Sequence, residues 1–132
     1  MNNSQMLKGI LSGVVLHVIA EGPIYGYELV TRLRKLGFTD ITGGTVYPIV
    51  QKMEKAGQLT SKQLPSPDGP NRKYLFVSPA GEAFLAEFDQ EWTALTSIVN
   101  NIINVTVITT TSGGIHYGKS KRCIYFKNQS ID

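Results

Sequence analysis

Apolar residues recur at intervals of three and four between Met6 and Ala20: Leu7, Ile10, Leu11, Val14, Val15, Val18 and Ile19. This spacing predicts a helix that is apolar on almost every face, so other elements, from this chain or a second subunit, must wrap it. Gly22 suits a helix C-terminus and Pro23 cannot continue the helix. A second helix is expected over Tyr25 to Leu36, with Leu29, Val30, Leu33 and Leu36 inward, Glu28, Arg32 and Lys35 outward, and Gly37 closing it. After the turn from Phe38 to Ile41, Thr42 is the N-cap candidate of a third helix that runs to about Ala56 and stops at Gly57. Its inward stripe is Val46, Ile49, Val50 and Met53. Pro48 lies near the first turn, where a missing N–H does least damage, and points to a regular helix beginning a residue or two later than Thr42 implies.

Gln58 to Leu64 can form a strand, and the stretch Pro65 to Asn71 is a turn-rich loop of the kind that joins hairpin strands. Arg72 to Val77 returns, with Tyr74 and Phe76 on one face and Lys73, Leu75 and Val77 on the other. Ser78 is an N-cap with Pro79 at the first helical position, opening a helix to roughly Asn104. Leu85, Phe88, Trp92, Leu95, Val99 and Ile102 follow one another at spacings of 3, 4, 3, 4 and 3, an unbroken heptad seam. It carries more apolar surface than one small domain needs, which favours a dimer contact between helices; the alternative is that it only caps its own core. Beyond Asn104 the heptad stops. A β-branched run, Val105 to Thr111, precedes Ser112-Gly113-Gly114 and the basic stretch Lys119 to Arg122. A strand over Val105 to Ile108 and a frayed or disordered tail are the two readings.

The order helix, helix, turn, helix, strand, wing, strand, long helix is that of a winged helix-turn-helix. The expected class is mainly α (α+β), with a two-stranded hairpin wing and a long C-terminal dimerisation helix. The expected organisation is a DNA-binding domain over 1–78, a dimerisation helix over 79–104 and an atypical tail over 105–132.

Composition narrows the classes without choosing among them. The 132 residues, 42% hydrophobic and 17% charged, suit one ordinary globular core. The net charge of +3 is by itself weak evidence for a nucleic-acid partner, because many unrelated proteins share it. Its distribution is more informative: Arg32 to Lys73 holds eight Lys or Arg against three acids, whereas Glu82 to Glu91 holds four acids and no base. One part of the chain can therefore meet a polyanion while another does different work, although a scattered solvated surface fits as well. The single cysteine, Cys123, is a free thiol or a bridge to another chain, which fits a reducing, cytoplasmic setting. The N-terminus lacks the marks of a signal peptide. The apolar run from Ile10 to Ala20 is about half of a membrane span, so it reads as a buried helix and no membrane partner is expected. His17 reads as a core or interface residue, since no Cys or second His stands at metal-ligand spacing. With two histidines, one cysteine, no usefully paired carboxylates and no phosphate-cradling glycine loop, neither an enzyme nor a cofactor or metal site is expected.

The chemistry lies on the third helix. With Val46, Ile49, Val50 and Met53 inward, its opposite face carries Thr45, Gln51, Lys52 and Lys55, with Tyr47 near the edge. These hydroxyl, amide and ammonium groups suit base edges and phosphates in a major groove of double-stranded DNA. Gly43 and Gly44 permit close approach, and free N–H groups at a helix start attract phosphate. The wing supplies Asn71, Arg72 and Lys73 beside the same face. Each feature has an ordinary reading: a flexible Gly-Gly turn, Tyr47 packing on the second helix, solvated lysines, Arg72 paired with Asp68. Their coincidence favours DNA. A winged-helix protein–protein adaptor is the alternative, and it would call for an apolar or acidic third helix, which is absent.

The residues Gly22-Pro23-Ile24-Tyr25-Gly26-Tyr27-Glu28-Leu29, Gly44-Thr45-Val46-Tyr47-Pro48, Met53-Glu54-Lys55-Ala56-Gly57, Gly69-Pro70-Asn71-Arg72-Lys73-Tyr74 and Ser78-Pro79-Ala80-Gly81 resemble the PadR family of bacterial transcriptional regulators. The likeness covers about Met6 to Asn104 and stops at the tail. It implies a homodimer on an inverted-repeat operator, usually acting as a repressor. DNA reading would fall to Thr45, Tyr47, Gln51 and Lys52, and wing contacts to Asn71, Arg72 and Lys73. Some members release DNA when a phenolic acid or flat aromatic drug binds near the dimer interface. Trp92 occupies a suitable place for such an effector, although interface packing is the reading its position favours.

Overall fold

The computed structural model describes residues 4–104, 108–111 and 114–117. Helices α1 (Ser4–Lys8) and α2 (Leu11–Ala20) open the chain. The apolar spacing predicts one continuous helix; Gly9, a poor helix former, interrupts it, and the Ile10 N–H donates to the Leu7 carbonyl at 3.0 Å in a tighter turn. Leu11, Val15, Leu16, Val18 and Ile19 are buried, so α2 is the wrapped helix its pattern predicts. His17 departs from that pattern. It is exposed, with its ring edge-on to Phe88 at 6.2 Å, and is not a core residue.

Strand β1 (Ile24–Tyr25) runs into α3 (Gly26–Lys35), and α4 (Gly43–Lys55) follows after a short turn. Both α3 and α4 end in the same device. The N–H of Gly37 donates to Arg34 and that of Phe38 to Leu33; likewise Gly57 donates to Glu54 and Gln58 to Met53. These paired bonds satisfy the last carbonyls and use glycine at φ +128° and +80°. The reversal at Gly37 folds Phe38 back onto the core and leaves Leu36, expected inward, 49% exposed. Thr42 stands at the N-cap position without a side-chain cap bond; its carbonyl accepts from Thr45 and Val46. The helix begins at Gly43, not later, with Pro48 inside it. Pro48 withholds the N–H that would reach Gly44, but Gly44 is exposed and water can take that acceptor.

Strands β2 (Leu59–Ser66) and β3 (Gly69–Val77) form the wing, and β1 pairs with the other edge of β3, giving an antiparallel sheet of order β1-β3-β2. The strands reach further than expected. Ser66 pairs with Gly69, so the expected seven-residue loop shrinks to a turn at Pro67-Asp68, with a register irregularity beside Pro65. Proline at a bulge and on an edge strand costs the ladder little, which is why proline content misdirected the loop reading. Strand β1, with only two residues, carries no alternation in the sequence.

Helix α5 (Pro79–Asn104) starts as expected: the Ser78 hydroxyl accepts from the Gly81 N–H at 3.1 Å and donates to the Gly57 carbonyl. Gly81 is required there, since a Cβ would fall 2.2 Å from the Gln58 carbonyl oxygen. Within α5 the chain divides into two compact units, Met1–Phe88 and Asp89–Asp132. The first holds the core, including Leu29, Leu33, Val46, Leu59 and Leu85. In the second, β4 (Ile108–Thr111) pairs antiparallel with β5 (Gly114–Tyr117), so part of the stretch read as a tail forms a hairpin. The β-branched run Ile108–Thr111 favours that state. Of the strand expected over Val105 to Ile108, residues 105–107 lie outside the described residues, as do the basic cluster Lys119 to Arg122 and Cys123.

Candidate nucleic-acid interface

Helix α4 buries Val46, Val50 and Met53 and half-buries Ile49. The other face must then look outward: Thr45, Pro48, Gln51, Lys52 and Lys55 are all exposed. Pro48, Gln51, Lys52, Glu54 and Lys55 line a shallow depression along it. Tyr47 is seated by two glycines. A Cβ on Gly43 would lie 2.6 Å from its ring and one on Gly26 3.1 Å, so the ring fills a slot between the starts of α3 and α4 while staying 40% exposed. Gly43 and Gly26 thus leave the room that the ring occupies between the two helices of the motif.

The wing does not present Asn71, Arg72 and Lys73 on one face. Consecutive strand residues point to opposite sides. Lys73 shares a side with its partner Gln63 and with the pair Ser61–Leu75; Arg72 shares the other with Lys62 and Tyr74. On the side of Lys73, its ammonium lies 3.1 Å from the Glu54 carboxylate of α4, and the Ser61 hydroxyl donates to the same carboxylate at 2.8 Å. The Ser61 hydrogen bond, then Lys73, hold the Glu54 carboxyl below its ordinary value of 4.5. Asn71 is exposed. On the opposite side Arg72 lies over the Tyr25 ring at 4.4 Å, and Tyr25 meets Tyr74 edge-on at 5.6 Å. Arg72 therefore rests on an aromatic plane supplied by β1 instead of pairing with Asp68. Lys62 stands 6.0 Å from the Phe76 ring on that same side.

Sequence reasoning overlooked Glu54 and Tyr25. Glu54 reads as one charge on a solvated helix face, and its partners are 7 and 19 residues away. Tyr25 matters only because β1 pairs with β3, a contact between distant segments.

The heptad seam splits. Leu85 is buried and Phe88 half-buried, its ring packed so closely on α2 that Gly13 has no room for a Cβ. Trp92, Leu95, Val99 and Ile102 are exposed, and Ile98 with them.

A helix-turn-helix with an exposed cationic second helix and a hairpin beside it is the architecture of a DNA reader. The model of the PadR-like family of transcriptional regulators matches residues 15–87, more than half of the chain. The chain belongs to the PadR-like family. Among similar solved structures, a PadR-like transcriptional regulator from Bacillus cereus is 41% identical, with 75% of this chain and 96% of that one covered and a TM-score of 0.71. A Streptococcus transcriptional regulator is 46% identical over 76% of this chain and 99% of its own, also with a TM-score of 0.71. A transcriptional regulator from Mycobacterium tuberculosis is 34% identical over 73 residues, 55% of this chain and 66% of that protein. As a PadR-like protein the chain is a DNA-binding transcriptional regulator and not an enzyme. No helix among the described residues is long and apolar enough to cross a membrane.

Proposed function

We propose that this PadR-like protein works as a homodimer that binds an inverted-repeat operator and represses transcription from it. The observation that carries the reading is the face of α4, where Thr45, Gln51, Lys52 and Lys55 are exposed opposite the buried Val46, Val50 and Met53. Thr45, Tyr47, Gln51 and Lys52 meet base edges and phosphates in the major groove. Asn71 and Arg72 meet the flanking backbone, Arg72 with its guanidinium carried by Tyr25. Lys73 is tied back to Glu54 and contributes less. The exposed apolar residues Trp92, Leu95, Val99 and Ile102 pair α5 with a second copy. On this reading residues 1–78 bind DNA, 79–104 pair the subunits and 105–132 are an added segment.

Two half-sites read by paired helices should lie one or more helical turns apart. Selection of bound fragments from genomic DNA with the purified full chain should recover a two-fold-symmetric sequence. Its affinity should fall about 10³–10⁵-fold between about 50 and 200 mM salt if six to ten phosphates are met. A mobility shift that no DNA fragment produces would reject this reading and favour the adaptor. Trp92 is the sole tryptophan, so stacking of a flat phenolic or aromatic effector on it would quench the protein's indole fluorescence and weaken operator binding together. Unchanged fluorescence with such compounds would leave Trp92 as a packing residue alone.

A further inference from the structure

We propose that Glu54 is a specificity-determining residue, an anionic brake on the DNA-binding face. The inference rests on the DNA-reading role of α4 proposed above. Glu54 stands on α4 between Gln51, Lys52 and Lys55, and all four line the same depression. It is the only acid in that helix. Its carboxylate is engaged from two strands of the wing, by the Ser61 hydroxyl at 2.8 Å and the Lys73 ammonium at 3.1 Å.

Two consequences follow from that placement. First, Lys73 is neutralised within the protein. A cation that releases a counterion from DNA adds to binding whatever the sequence, so a lysine held by a carboxylate contributes less to sequence-independent affinity. Second, with the sequence-independent contribution of Lys73 withheld by the ion pair, the contacts made by Gln51 and Lys52 are a larger share of the total binding, and specificity is a difference of affinities. The wing and α4 are at the same time tied together, so Glu54 acts both on charge and on the spacing between the two DNA-facing elements.

Glu54→Gln tests the charge with little change of shape, because the amide oxygen can still accept from Ser61. The full-length protein is titrated against a labelled duplex of arbitrary sequence, about 30 base pairs long to hold two half-sites, over a range of salt. Relative to the unaltered protein, Glu54→Gln should bind this duplex more tightly, and the plot of log K against log salt should steepen by about 0.9 per freed lysine, near 2 for a dimer. The double variant Glu54→Gln/Lys73→Gln should return the slope to that of the unaltered protein. Preference for a selected operator over the arbitrary duplex should fall in the single variant. An unchanged slope in Glu54→Gln, or a steepening that persists in the double variant, would overturn the proposal while leaving the DNA-binding reading intact. A slope near zero in the unaltered protein would overturn both. Partial unfolding lowers the active fraction without steepening the slope, so a merely structural role cannot imitate the expected result.

Discussion

The two ends of helix α5 obey one sequence pattern and meet different fates. Leu85 and Phe88 close onto the core of the first compact unit, against α2 and the glycine at position 13. Trp92, Leu95, Val99 and Ile102 continue the same heptad rhythm and remain between 44% and 66% exposed. A heptad seam therefore states that a surface will be buried but not by what. The first two of its six residues find their partner within their own chain. The other four form an exposed run of large apolar side chains of the kind that marks an association surface.

That contrast can be broken from either side. The largest expected effect comes from the exposed part of the seam. Leu95→Glu should leave the winged unit folded, convert the protein to single chains in sedimentation, and lower operator affinity by about 10²–10⁴, the range lost when linked sites act alone. Next is the closed half of the molecule. Leu16 is fully buried, so Leu16→Ala should cost about 2–5 kcal/mol of folding stability, read by denaturant melts. The loss should persist at every protein concentration, whereas the difference in mass caused by Leu95→Glu should vanish once the unaltered protein is itself diluted to single chains.

On the DNA-facing side, Lys52→Gln should reduce affinity for all duplexes alike and flatten the salt slope by about 1 per subunit if Lys52 meets phosphate. If it meets a base, it should instead relax preference at one operator position. Tyr25→Leu removes the ring beneath Arg72 while keeping an apolar residue in β1. It should weaken DNA binding by about 0.5–1 kcal/mol, the worth of a cation–π contact at an accessible site, and Arg72→Gln should make that effect disappear.

The smallest effect concerns pH. The folded-state carboxyl of Glu54 titrates below its unfolded value, because Ser61 and Lys73 favour its charged form. Its contribution is therefore present above the ordinary carboxylate range and is lost as pH falls through the depressed value. The stability difference between the unaltered protein and Glu54→Gln should be about 0.2–1 kcal/mol near neutrality, as expected of a partly exposed ion pair. It should shrink toward acid pH. A difference that grows on acidification would contradict the assignment of those contacts.

How much was legible in the sequence follows from how local each signal is. Helices α3, α4 and α5 announce themselves through apolar spacing, and their ends through Gly37, Gly57 and the Ser78-Pro79 pair, because each device acts within one turn. The exposed set on α4 follows from its buried stripe by elimination. The wing's two-faced arrangement was open to the same logic, since Arg72 and Lys73 are neighbours on a strand and cannot share a side. Long-range contacts were out of reach: β1 against β3, Arg72 over Tyr25, and Lys73 with Glu54 across 19 residues. Proline misled twice, at Pro48 and at Pro65, where an exposed carbonyl or a bulge absorbs the missing N–H.

The most direct test of the contrast within α5 is sedimentation equilibrium of the full chain at micromolar concentration, alone and with a selected operator duplex. Twice the mass of one chain, and two chains per duplex, are the predicted results. A lone chain in both samples, with the operator bound by one copy, would contradict the pairing of α5 and the two-fold reading of DNA built on it.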